Sequence, residues 1–127
     1  MKKVTKLILP SIKDCVLSLS KDLKGCRIIQ RLLERFDKDI KTIKFIYEEI
    51  NSEIKVLTED EFGNYVISHL LENGTKGDKI IIIDEILDDL CQLSLHKNGS
   101  NVVEKCLKFA PDERKYEILD RFCALPM

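Results

Sequence analysis

An all-α solenoid built from three three-helix repeats is the fold this sequence predicts, and three observations predict it. A glycine-led segment recurs three times, each copy carries aliphatic residues at helical spacing, and each lies between two further amphipathic stretches. The copies align without gaps: Leu23–Glu34 (LKGCRIIQRLLE), Glu61–Glu72 (EFGNYVISHLLE) and Lys97–Lys108 (KNGSNVVEKCLK). Gly25, Gly63 and Gly99 are spaced 38 and 36 residues apart, a period that belongs to helical repeat arrays.

In chain order, a short helix is expected over Pro10–Asp22, and a second starts just after Gly25. In that second helix the aliphatic pair 28/29 and the pair 32/33, four residues on, form one apolar stripe. Asp39–Ile50 is the third, amphipathic helix. The second repeat follows the same plan: Asn51–Asp60, a helix after Gly63 with pairs 66/67 and 70/71, then Lys76–Leu87. The run Ile80–Ile83 would suit a strand. It occupies the repeat position of Ile43–Tyr47, so it is read as buried helix. Asn73-Gly74-Thr75-Lys76-Gly77 is a turn inside the repeat. Asp88–His96, a helix after Gly99 with pairs 102/103 and 106/107, and Pro111–Phe122 complete the third repeat. Pro111 suits a first helical turn, and Asp112 and Glu113 suit its positive dipole end. Residues 1–127 thus form one domain with repeats near 10–50, 51–87 and 88–123.

The composition fits that plan. At 44% hydrophobic and 34% charged, the chain is too apolar for a disordered tail, and its charge suits helices that each show water a polar face. No stretch approaches a membrane span in length, and Thr5 and Lys6 interrupt any signal peptide after Met1-Lys2-Lys3. No membrane association is expected, and the location expected is the cytoplasm or nucleus. Cys15, Cys26, Cys91, Cys106 and Cys123 make an odd count without a CxxC pair, so they read as small apolar residues in a reducing compartment. Cys91 and His96 lack a second ligand pair, so neither metal nor cofactor is expected. No catalytic constellation is present and an enzyme is not expected. The net charge of −1 argues against bulk attraction to nucleic acid, which leaves function to local pattern.

That pattern lies on the glycine-led helices. Residues i and i+4 project from one face of a helix. In the first repeat they are Cys26 and Gln30, the latter a planar amide that matches adenine's donor and acceptor edge. In the third they are Ser100 and Glu104; a carboxylate only accepts, which suits the two adjacent N–H donors of guanine. Between them stand Asn64 and Ser68. Arg27 and Tyr65 carry flat groups suited to stacking on bases, and Asn101 holds the same position with less stacking area.

These segments resemble the repeats of the Pumilio (PUF) family over roughly residues 10–123. Cys-Arg…Gln, Asn-Tyr and Ser-Asn…Glu follow the order of the fifth, sixth and seventh repeats of eight-repeat members. The resemblance implies a right-handed α-solenoid whose middle helices line a concave surface for single-stranded RNA, one base per repeat. Carried over, base edges are read by Cys26, Gln30, Asn64, Ser68, Ser100 and Glu104, with stacking by Arg27, Tyr65 and Asn101. Lys24, Arg31, His69, Lys97 and Lys105 would meet the backbone. Ser68 departs from the pattern: uracil-reading repeats usually have Gln there, and serine is too short to place an amide on the base, so weakened discrimination is expected. Protein and RNA run antiparallel in the family, so the three repeats would read 5′-G-U-A-3′, the centre of UGUA-type elements in messenger 3′ untranslated regions. Post-transcriptional regulation is the implied role.

Acids such as Glu48, Glu49, Asp84, Glu85, Asp88 and Asp89 fall outside the glycine-led helices, so a near-neutral total can hide a basic inner face. The rival reading is a HEAT- or armadillo-like scaffold for protein partners, or a PUF-like binder without sequence preference. Neither end resembles a polar capping repeat. Weak self-association is therefore expected through Leu7, Ile8, Ile12 and Val16, or through Ile118, Leu119 and Phe122.

Overall fold

Glycines open three of the helices, a threonine cap and a proline open two more, and aliphatic stripes place them against one another. The computed structural model describes Leu7 and residues 9–123. In chain order it contains α1 (Val16–Ser20), α2 (Gly25–Arg35), a 3-10 turn Ile40–Ile43 leading into α3 (Lys44–Ser52), and α4 (Ile54–Glu59). There follow α5 (Gly63–Asn73), α6 (Lys76–Ile86), a 3-10 turn Leu87–Asp89 leading into α7 (Leu90–Leu95), α8 (Gly99–Phe109) and α9 (Asp112–Cys123). No strand occurs among the described residues.

The three glycine-led helices stack side by side, α2 on α5 and α5 on α8, and α1, α4 and α7 each pack on the glycine-led helix that follows them. The third layer is α3 against α1, α6 against α4 and α5, and α9 against α7. This is an α-solenoid in which α2, α5 and α8 form one continuous surface. The stripe explains the stacking: Ile29, Leu32, Leu33, Val66, Ile67, Leu70, Leu71, Val102, Val103 and Cys106 are buried. Each fully buried Ile or Leu contributes about 1.5–3 kcal/mol. Ile28 and Leu107 depart from the expected stripe and are about half exposed. Within the isoleucine run, Ile82 and Ile83 are fully buried on the helix α6. Thr75 starts that helix with a reciprocal cap: its hydroxyl accepts from the Asp78 amide at 3.2 Å, and its own amide donates to the Asp78 carboxylate at 3.0 Å.

Two expectations need correction. Pro10–Asp22 is not one helix. Residues 9–12 are helical, then Asp14 adopts φ 67°, in the left-handed region that a short polar side chain tolerates, and α1 starts two residues later. The Asp14 amide donates to the Glu49 carboxylate at 3.3 Å, which ties the break to α3. The apolar ends are also more covered than expected. Ile12, Val16 and Ile118 are buried and Phe122 is packed partly against the core, leaving Leu7 and Leu119 exposed. Ile8 lies outside the described residues.

Candidate nucleic-acid interface

The glycine-led helices share one entrance. A side chain three residues before the glycine accepts two backbone amides that no helical carbonyl can serve. Asp22 accepts from Lys24 and Gly25 at 3.0 and 2.8 Å, and Asp60 accepts from Phe62 and Gly63 at 2.9 and 2.8 Å. Before α8 the same place is held by His96, whose Nδ1 accepts from Asn98 and Gly99, both at 3.0 Å. This entrance fixes the rotation of each helix, and therefore which side chains its second, third and sixth residues present.

Between α2 and α5 those residues line a groove of about 490 Å³. From α2 come Cys26, Arg27 and Gln30; from α5 come Tyr65, Ser68, His69 and Glu72; Lys105 reaches in from α8. Leu23 and Phe62, two residues that the base-reading pattern did not single out, also line it; both belong to the turns before the helices. Tyr65 is about half exposed, so its ring is available as a flat surface rather than lost to the core. Cys26 is buried and its thiol donates to the Leu23 carbonyl at 3.3 Å. Burial raises its pKa, so it stays a neutral thiol.

The other expected site residues are placed differently. Asn64 is 1% exposed, and its amide nitrogen donates to the carbonyls of Asp60 and Glu61, each at 2.8 Å. Its oxygen accepts from Asn101 at 3.3 Å, a bond between neighbouring repeats. Both ends of this amide are therefore engaged by protein. Ser68 is buried, and its hydroxyl is without a hydrogen-bond partner among the described residues. Ser100 is half-buried, with its hydroxyl donating to the Lys97 carbonyl at 3.4 Å. Glu104 is exposed on α8 and has no ion-pair partner among the described residues. Lys24 and Lys97 are exposed just before α2 and α8, and Arg31 is exposed on α2 itself.

Charge separates as the sequence suggests. On the outer helices Arg114 grips Asp84 at 2.6 and 3.1 Å, Arg121 pairs with Asp88 at 3.0 Å, Lys55 with Asp89 at 3.1 Å, and Lys76 with Glu113. No carboxylate lies within ion-pair distance of Lys24, Arg27, Arg31 or Lys97 among the described residues. His69 differs from expectation, because burial lowers its pKa more than the nearby Glu34 and Glu72 raise it. Near neutral pH it is an uncharged ring, so it adds hydrogen-bonding capacity rather than a cation.

The sequence matches the pattern of the Pumilio-family RNA binding repeat at residues 15–50, 56–87 and 89–122. Pumilio homolog 12 of Arabidopsis thaliana is 34% identical over 109 residues, and Pumilio homolog 1 of Xenopus laevis is 39% identical over 109. Each alignment covers 86% of this chain but only 18% and 9% of the relative, so the chain spans less than a fifth of their length. Among solved structures, the Puf3 RNA binding domain bound to a Cox17 RNA 3′ UTR recognition sequence superposes with a TM-score of 0.81 at 33% identity, over 89% of this chain and 34% of that one. PUF-8 in complex with PBE-RNA gives 0.85 at 27% identity, over 95% and 35%. Three matched repeats and a shared solenoid have one explanation: the chain belongs to the Pumilio family of RNA-binding repeat proteins.

Proposed function

We propose that the surface of α2, α5 and α8 binds single-stranded RNA and selects a 5′-GUA-3′-like sequence within messenger RNA. The groove between α2 and α5 carries the proposal, because it gathers an arginine plane, a tyrosine ring and the Gln30 amide from adjacent repeats. A base sliding between Arg27 and Tyr65 gains stacking worth about 1–3 kcal/mol, and Gln30 offers a donor and an acceptor to an adenine edge. On α8, Glu104 presents an unpaired carboxylate to the two N–H donors of guanine. At the middle repeat the engaged amide of Asn64 and the short Ser68 leave stacking as the main hold, so uracil is accepted there with weak preference.

The test is a swap of the third repeat's pair, Ser100→Asn with Glu104→Gln. Uracil offers one donor between two acceptors, so the carboxylate repels it and the amides do not. Titration against GUA and UUA oligonucleotides at fixed salt should show preference at the first base moving from G toward U by about 1–3 kcal/mol. Unchanged relative affinities in a variant that still melts cooperatively would favour the peptide-scaffold reading.

A further inference from the structure

We infer that Phe109 and the three lysines around it form a phosphate-gripping shelf for single-stranded RNA. This shelf would continue the base groove across the C-terminal end of α8, and the inference rests on the RNA-binding reading above. The ammonium groups of Lys79, Lys105 and Lys108 lie 5.9, 5.6 and 5.4 Å from the centre of the Phe109 ring. Three cations around one half-buried ring repel one another, and the ring quadrupole offsets only part of that cost. Glu72 pairs with Lys105 at 3.4 Å. No carboxylate lies within ion-pair distance of Lys79 or Lys108 among the described residues. The carbonyl end of the α8 dipole favours the two lysines on that helix, but Lys79 comes from α6. Lys79 and Lys108 therefore carry positive charge without an ion-pair partner among the described residues.

The position of the cluster points to RNA as the source of that partner. Lys105 belongs to both places, lining the base groove and lying over Phe109. Lys108 is four residues beyond Glu104, on the same face of the helix and about 6 Å along its axis at 1.5 Å per residue. A strand whose base meets Glu104 thus has its backbone within reach of the lysines, while the ring offers a flat surface to a ribose or a neighbouring base. Such contacts position a strand without reading it. They also supply attraction that the net charge of −1 hides.

The experiment uses the full chain and the double variant Lys79→Gln with Lys108→Gln, each titrated with a GUA trinucleotide and with a roughly nine-nucleotide RNA carrying GUA at its centre, at several salt concentrations. Releasing two counterions fewer from a single strand should make the salt slope on the longer RNA shallower by about 1.4. The variant should bind that RNA several-fold more weakly at low salt and converge with the parent at high salt. Preference for G over U at the first base should not change. A salt slope equal to the parent's, while that base preference is intact, overturns the shelf and leaves the base-reading proposal standing. An equal loss on the trinucleotide would assign these lysines to the base sites instead and also overturn it. Absence of RNA binding by the parent defeats both. An oligo-aspartate peptide that binds the parent but not the variant, with the longer RNA unaffected, would give the patch to a protein partner.

Discussion

The first and third repeats enter their glycine-led helices by the same route with different parts. Before α2 the acceptor is the Asp22 carboxylate, and the glycine is so close to the helix behind it that a Cβ on Gly25 would stand 2.4 Å from the Leu19 carbonyl oxygen and 2.8 Å from its Cα. Before α8 the acceptor is the His96 ring. A Cβ on Gly99 would first meet the Leu93 Cδ2, at 2.8 Å, with the Leu93 carbonyl at 3.2 Å. What repeats along the chain is therefore a backbone requirement, namely two amides to satisfy and a close helix approach to allow. Side-chain identity is free wherever another group meets it. His96 meets it only as the tautomer with its proton on Nε2, which faces the Glu59 carboxylate of the second repeat at 3.7 Å.

The largest expected effect tests the close approach. Gly25→Ala must move backbone, so about 3 kcal/mol of stability should be lost, whereas Gly99→Ala displaces mainly the tip of a leucine and should cost about 1 kcal/mol. Paired thermal or urea melts would show the ratio, and equal losses would mean that the two entrances are equally tight. The caps come next. Asp60→Ala leaves two amides without a charged acceptor and should cost about 1–2 kcal/mol, and His96→Ala, which removes a neutral acceptor, about 1 kcal/mol or less. A costlier His96→Ala would place the contact with Glu59 above the cap.

This comparison also shows what the sequence makes legible. Spacing and stripe located all three repeats, because burial of Ile29, Ile67 and Val103 depends only on period. The break at Asp14 was not legible, since a single left-handed aspartate carries no periodic signal and is tied by a distant Glu49. His96 was legible in principle, because it aligns with Asp22 and Asp60 three residues before the glycine. At the candidate site, Gln30 and Tyr65 line the groove between α2 and α5. Asn64 does not act alone: its amide is bound to Asp60, Glu61 and Asn101, and a bond to the next repeat is invisible to a motif read within one repeat. The Phe109 cluster joins α6 to α8, so no single segment displays it.

His69 makes stability sensitive to acid. His69 is held below its ordinary pKa of 6.5 by burial. Above that value folded and unfolded chains both carry it neutral, and its environment is not penalised. As pH falls below 6.5 the unfolded chain takes up the proton more readily, so unfolding becomes more favourable until the lowered folded value is passed. Melting temperature should be level above about pH 7 and fall toward pH 5.5. His69→Gln should flatten part of that fall, and an unaltered profile would place the sensitivity elsewhere.

The smallest effect concerns the buried hydroxyls, which the repeats treat differently. Ser20 and Thr58 each donate to the carbonyl four residues back, at 2.7 Å, in Val16 and Ile54. Ser68, also buried, on the glycine-led helix of the middle repeat, has no partner for its hydroxyl among the described residues. Removing a satisfied buried hydroxyl loses a hydrogen bond, so Ser20→Ala should cost about 1 kcal/mol. Removing an unsatisfied one also removes a desolvation penalty, so Ser68→Ala should be neutral or slightly stabilising. The same variant separates two meanings of the position. If the middle base is held by stacking on Tyr65 and Arg27, Ser68→Ala leaves affinity for GUA and its choice among middle bases unchanged. If instead the hydroxyl turns to the base when RNA arrives, the variant gains stability in the free protein yet loses discrimination at that base. Melting and binding measured on one preparation distinguish these, and only the second pattern would make Ser68 a base reader.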